Sequence, residues 1–339
     1  MSAVNRVLKV VVGAAFLVAA LAVLGLGWVA WSWPPTHPDV PIPQVEASED
    51  PEVIERGAYL FHAVAHCTAC HMPTDEWLAL EAGAKGVPAG DRVWELGPLG
   101  TLRTPNLTPD SATGVGAWTD GELARVMEHS VLPNDEPALM MNSAGAMGEE
   151  DLRALISYMR AMEPVERARE PRRDLSLLGR LFLLTELRLF ASPRPEALRA
   201  PDGPPPGEDV SRRRGEYLAR GPAACAFCHT PVDPASGELE GPLFSGGDPM
   251  PDVLDPEMEF IGPNLTPGGA LAGWGEDDFV EAFRAGRRFE GSPMPWQNYA
   301  GMTEEDLRSI YRYLESLEPS GRDPGPIHRK AGWEAGEGS

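Results

Sequence analysis

The sequence predicts an all-α fold: two copies of one small helical domain in series behind a single membrane-length helix. Three observations carry that prediction. An uncharged apolar run opens the chain, a stretch of about 110 residues occurs twice, and both copies close on one amphipathic pattern. No segment shows the alternation of a strand.

From Val10 to Trp33 the chain holds 24 residues without a charge, rich in Val, Ala and Leu. As a helix this run covers about 36 Å, enough for the ~30 Å hydrocarbon core of a bilayer. Arg6 and Lys9 precede it, and Trp28, Trp31 and Trp33 cluster at its far end. The charge bias predicts a cytoplasmic N-terminus, with everything after Pro34 on the outer, periplasmic side of a bacterial inner membrane. The run ends in Trp-Ser-Trp-Pro-Pro, a poor cleavage site, so residues 1–33 read as an uncleaved single-pass anchor. Residues 34–49 form a Pro-rich, extended tether.

The repeat follows. RGAYLFHAVAHCTACHMPTD at 56–75 parallels RGEYLARGPAACAFCHTPVD at 214–233, and TPNLTPD at 104–110 parallels GPNLTPG at 262–268. Trp118 and Trp274, read as core aromatics, come after these loops. The copies close on MGEEDLRALISYMRAMEPV from 147 and MTEEDLRSIYRYLESLEPS from 302. Leu152, Ile156 and Met159 share one helix face, as do Leu307, Ile310 and Leu314. Gly148 and Thr303 are the expected N-caps, with acidic residues in the first turn and Pro164 and Pro319 as stops. Shorter helices are expected at 50–63, 119–129, 210–219 and 276–286. The domains are thus 50–164 and 211–320, joined by a linker over 165–210 and followed by a disordered tail over 321–339. The linker's LSLLGRLFLLTELRLF at 175–190 is too short and too charged to span a bilayer, and reads as a short helix packed on the domains in preference to one lying on the membrane surface.

The net charge is −22, from 29 Lys and Arg against 51 Asp and Glu. Residues 50–164 carry 7 basic against 18 acidic side chains, and 211–319 carry 9 against 19. Nucleic acid is excluded as a partner, since binding it needs a basic surface. A basic protein partner fits, as does a charge that serves solubility alone.

The four cysteines come as Cys67-Thr-Ala-Cys70-His71 and Cys225-Ala-Phe-Cys228-His229, both C-x-x-C-H. That spacing is the attachment signature of c-type haem. Two cysteines three apart on a helical turn meet the two vinyl groups of one macrocycle, and the adjacent histidine turns its imidazole to the iron. The chain therefore predicts two covalently bound haem c groups and no disulfide. Zinc would need a second ligand pair per site, and repeat two offers none nearby.

The sixth ligand follows by elimination. After His229 the only further His and Lys, His328 and Lys330, lie in the expected tail, which leaves methionine or an open site. Met294, in Ser-Pro-Met-Pro-Trp, sits in a rigid loop, whereas Met302 precedes a helix cap. In repeat one Met140, Met141 and Met147 compete, with Met141 preferred and Met147 matching Met302. Asn106 and Asn264 of the PNLTP loops are candidate donors to haem propionates, or simply loop caps. His62, His66 and His129 read as packing or surface histidines.

These motifs resemble the class I cytochrome c domains of the multihaem cytochrome subunits of bacterial membrane-bound alcohol, aldehyde and gluconate dehydrogenases. The resemblance covers about 54–164 and 212–318. It implies a haem-enclosing all-α fold, proximal His71 and His229, and distal Met141 and Met294. It also implies electron transfer from a dehydrogenase towards quinone, an oxidase or a soluble cytochrome. Those subunits typically carry three haem domains and this chain two, and repeat one has Met-Asn where repeat two has Met-Pro. A haem enzyme with one open iron, such as a dihaem peroxidase or thiosulfate dehydrogenase, is the alternative.

Overall fold

The computed structural model describes residues 3–141, 147–167, 173–193, 207 and 210–333. Helix α1 (Ala3–Ser32) contains the apolar span Lys9–Ser32, whose mean hydropathy of 2.6 and length suffice to cross a membrane. Repeat one then builds α2 (Pro51–Tyr59), a π-helical turn at Leu60–Val64, α3 (Cys67–Cys70), α4 (Thr74–Leu78), strands β1 (Val93–Glu95) and β2 (Gly100–Arg103), α5 (Asp120–His129) and α6 (Glu149–Ala161). Strand β3 (Arg173–Leu175) and α7 (Leu177–Leu184) follow. Repeat two builds α8 (Arg212–Arg220), α9 (Cys225–His229), β4 (Pro249–Pro251), β5 (Met258–Ile261), α10 (Glu276–Arg284), α11 (Trp296–Tyr299), α12 (Glu304–Glu315) and β6 (His328–Lys330).

The all-α fold expected from the sequence is corrected by the structure. Two three-stranded antiparallel sheets, β1-β2-β3 and β4-β5-β6, stand at the same place in the two repeats, just before each PNLTP loop. Their strands are three or four residues long, too short to show a period of two. Their third strands come from beyond the closing helices: Thr101 pairs with Asp174, and Glu259 with Arg329. Each repeat thus reaches past the boundary expected at 164 or 320. The stretch 321–333, expected to be disordered, carries β6, where Arg329 pairs with Glu259 at 2.7 Å. The remaining tail at 334–339 and linker residues 168–172, 194–206 and 208–209 lie outside the described residues.

The helices fall where the patterns place them, and their termini have physical causes. Thr303 accepts from the Asp306 N–H at 3.2 Å to cap α12. Thr119 and Glu122 cap α5 reciprocally, at 3.2 and 2.7 Å. Within each repeat the first and last helices cross closely, and the glycine of each Arg-Gly pair makes this possible. A Cβ on Gly57 would stand 1.9 Å from the Ala154 carbonyl oxygen, and one on Gly215 1.8 Å from that of Ser309. The preceding arginine then grips the partner helix. Arg56 Nε reaches Asp151 Oδ1 at 3.0 Å, and Arg214 Nε reaches Asp306 Oδ1 at 2.7 Å, with second guanidinium contacts of 3.2 and 3.0 Å.

The two repeats share one continuous hydrophobic core, from Leu60, Phe61 and Leu152 to Leu218, Phe244 and Leu307. Their contact is reciprocal. Tyr217 of repeat two donates to Asp151 Oδ2 at 2.7 Å and accepts from the Gly148 N–H at 3.1 Å. Tyr59 of repeat one donates to Asp306 Oδ2 at 2.6 Å and accepts from the Thr303 N–H at 3.1 Å. Each closing helix therefore has its first turn held by an arginine of its own repeat and a tyrosine of the other.

Candidate functional site

Both C-x-x-C-H motifs form a single helical turn entered through a left-handed residue, His66 at φ 41° and Ala224 at φ 52°. The turn sets the two cysteines on one side, and all four are free thiols. Burial pushes the Cys67, Cys225 and Cys228 thiols up to about 12, and burial also raises Cys70. A neighbouring cysteine adds to the shift of Cys67, Cys225 and Cys228, that neighbour being Cys70 of the other repeat for Cys228, whereas the Arg92 guanidinium opposes the shift of Cys70. Such thiols stay protonated at neutral pH, which argues against reactive thiolates. Among the described residues no three His, Cys, Asp or Glu side chains converge as a metal-ligand group, so the zinc alternative lacks its donor set.

The histidines carry the clearest geometry. His71 Nδ1 lies 2.9 Å from the Pro105 carbonyl oxygen, and His229 Nδ1 lies 3.0 Å from that of Pro263. In each case the partner is 34 residues away and opens the PNLTP loop. A carbonyl can only accept, so it fixes the proton on Nδ1 and leaves Nε2 as a lone-pair donor. Burial lowers the His229 pKa, against the raising effect of the Pro263 carbonyl, and keeps the ring neutral. An imidazole so oriented, beside two cysteines on one turn, fits a covalently attached haem iron.

The PNLTP asparagines make the contacts of the loop-cap reading. Asn106 Oδ1 accepts from the Thr108 N–H and hydroxyl at 2.9 and 2.8 Å, while its Nδ2 donates to the Val165 carbonyl at 2.7 Å and Thr113 Oγ1 at 3.3 Å. Asn264 repeats this with Thr266, the Arg322 carbonyl and Ser320 Oγ. Both N–H groups of each amide are engaged within the protein, so Asn106 and Asn264 fasten the loop to the segment beyond the closing helix.

Met141 and Met294, like Cys67 and Cys225, are partly buried and pack against the shared core. Met140 has φ 68° and packs on a separate cluster with Trp33, Leu102, Leu175 and Leu183. Met147 and Met302 are buried in the core ahead of their helix caps. Asn142 to Ala146, the rest of that repeat-one stretch, lie outside the described residues.

Helix α11, directly after the Met294 loop, joins the two motifs, a feature the sequence gives no sign of. Asn298 Nδ2 donates to Thr68 Oγ1 at 2.7 Å and to the His62 carbonyl at 2.9 Å. Its Oδ1 accepts from Trp77 Nε1 at 3.1 Å. Tyr299 donates to the Ala223 carbonyl at 2.6 Å and meets the His66 ring edge-on at 5.3 Å. The guanidiniums of Arg92, at 4.8 Å, and Arg287, at 5.0 Å, one from each repeat, both lie over the Trp77 ring. His62, buried, contacts the Tyr158 hydroxyl at 2.7 Å.

No family model matches the chain. It is 30% identical over 288 residues to the cytochrome c subunit of the quinone alcohol dehydrogenase of Komagataeibacter europaeus, covering 80% of this chain and 57% of that subunit. It is 28% identical over 280 residues to the gluconate 2-dehydrogenase cytochrome c subunit of Pantoea cypripedii, covering 78% and 59%. A diheme cytochrome c-type protein of Cereibacter sphaeroides is 27% identical over 311 residues, covering 89% and 97%. The chain thus spans little more than half the length of the dehydrogenase subunits and nearly all of the diheme protein. Motif, histidine geometry and relatives point the same way: the chain is similar to the cytochrome c subunits of bacterial alcohol, gluconate and fructose dehydrogenases.

Proposed function

We propose that the chain is a membrane-anchored dihaem electron carrier, with one haem c in each repeat. Cys67 and Cys70 hold the first through thioethers with His71 as proximal ligand, and Cys225, Cys228 and His229 hold the second. Met141 and Met294 are the proposed distal ligands. Haem c so held supplies one-electron redox chemistry at a potential that methionine ligation raises. The protein fixes each imidazole tautomer, keeps water from the iron with its shared core, and brings the two attachment turns together across Asn298 and Tyr299. The domains stand on the periplasmic side of the inner membrane, taking electrons from a dehydrogenase and passing them towards quinone, an oxidase or a basic soluble cytochrome.

The observation that carries this reading is the paired hydrogen bond from His71 and His229 to Pro105 and Pro263, which holds the proton on each Nδ1 and so makes Nε2 the basic nitrogen of each ring, the tautomer that a haem iron requires. Mass spectrometry of the denatured chain tests it, because thioethers survive unfolding. Two haem additions are expected, and one or none overturns the dihaem assignment. A second reading, an enzyme with one open iron, draws on the absence from repeat one of the proline that follows Met294.

A further inference from the structure

Outside α1, nine large hydrophobic side chains are exposed among the described residues, and four of them belong to α7. These are Leu177 (40%), Leu178 (43%), Leu181 (36%) and Phe182 (37%). At ~100° per residue they form one continuous arc of about 140°. Gly179 and Leu183, on the opposite side, are buried. The other five stand singly along the chain, as scattered surface hydrophobics do. The α7 face is therefore a patch that wants an apolar cover.

Its place in the fold says what that cover is. Helix α7 packs against α1. Leu183 and Trp33 belong to one cluster, and Val29, at 3% exposure, is sheltered while the apolar residues around it on α1 are exposed. The contact is thus at the end of α1 that carries Trp28, Trp31 and Trp33, residues that sit at a membrane surface. The charge agrees. Arg173, Arg180 and Arg188 stand against Asp174 and Glu186 over 173–191, in a chain whose net charge is −22. An anionic lipid surface repels the domains but not this segment.

We propose that α7 lies in the outer surface of the lipid bilayer with Leu177, Leu178, Leu181 and Phe182 among the acyl chains, a second membrane contact beside α1. The proposal rests on the reading of α1 as a membrane anchor. Two contacts, unlike one flexible tether, fix the orientation of the domains. Helix α7 follows β3 of the first sheet directly, and the turn after it packs on repeat two through Leu189 and Phe190, so the segment is fixed to both repeats.

Nitroxide spin labels on the full-length, haem-loaded chain in phosphatidylglycerol–phosphatidylcholine nanodiscs test this. Leu178→Cys, Leu181→Cys and Phe182→Cys report on α7, Val18→Cys on α1, and Leu254→Cys on an exposed site of repeat two. Unchanged haem absorbance checks that each variant folds. The α7 labels should relax several-fold more with lipid-soluble oxygen than with an aqueous nickel chelate, as Val18→Cys does, while Leu254→Cys shows the reverse. Nickel accessibility at α7 equal to that at Leu254→Cys overturns the proposal while leaving the anchor intact. Protection from both reagents also overturns it, since protein would then cover the face. An aqueous reading at Val18→Cys defeats the anchor reading itself.

Discussion

Removing the hydroxyl of Tyr217 or Tyr59 tests whether the two repeats stand or fall together. Tyr217→Phe keeps the ring in the core and deletes one oxygen. That oxygen donates to the Asp151 carboxylate at 2.7 Å and accepts from the Gly148 N–H at 3.1 Å. A hydrogen bond to a charged group contributes about 1.5–3 kcal/mol and a neutral one about 1. Because Asp151 keeps Arg56, the loss should fall near the lower bound, about 2–3 kcal/mol. Tyr59→Phe should cost about 2 kcal/mol, since its contact with the Thr303 N–H is exposed. Asp306→Ala should cost more, about 3–5 kcal/mol, because it strands the Arg214 guanidinium at 1% exposure. Urea unfolding followed by haem absorbance and by far-ultraviolet dichroism gives these values. Since one core runs through both repeats, the unmutated protein and both tyrosine variants should unfold in a single coincident transition. Two separated transitions in the unmutated protein, or losses below about 0.5 kcal/mol in both phenylalanine variants, would refute the reasoning.

Met294→Ala should keep haem attached, lower the methionine-to-iron absorption band by about half and admit carbon monoxide, whereas Met302→Ala should do none of these. The same comparison of Met141→Ala with Met140→Ala identifies the repeat-one ligand, and carbon monoxide binding by the unmutated protein would move that repeat to the enzyme reading. Burial, with Lys85 nearby, pushes the His62 pKa down to about 4 from an ordinary 6.5. The unfolded chain therefore binds the extra proton first, and stability complete above pH 6.5 falls towards pH 4 by at most about 3 kcal/mol, a slope that His62→Gln should flatten in urea titrations. Electron transfer to a basic cytochrome, followed by stopped flow, should slow as salt rises, and a flat profile would assign the acidic surface to solubility alone.

What the sequence makes legible is what its chemistry keeps local. The C-x-x-C-H turns, the Thr303 and Thr119 caps and the PNLTP loop all close within a few residues, as when Asn106 Oδ1 meets the Thr108 N–H at 2.9 Å. The second copy then tests each such reading. The Arg-Gly pair marks a middle case. Its recurrence in both copies is visible, but its purpose appears only once Arg56 reaches Asp151, 95 residues on, and Gly57 lets the two helices touch. The sheets fall outside this range, because strands as short as Val93–Glu95 carry no periodicity and their partners at 173–175 and 328–330 lie in stretches that read as linker and tail. So do the partners of the PNLTP amides: the acceptors of Asn106 at Val165 and Asn264 at Arg322 are not implied by the motif. The reciprocal tyrosines are the least legible feature, although Tyr59 and Tyr217 hold the same position in both copies. An internal duplication shows which residues recur but not whether a residue binds its own copy or the other one. Here the arginine of the motif turns inward and the tyrosine three residues later crosses over, so one short segment fastens both the repeat and the pair.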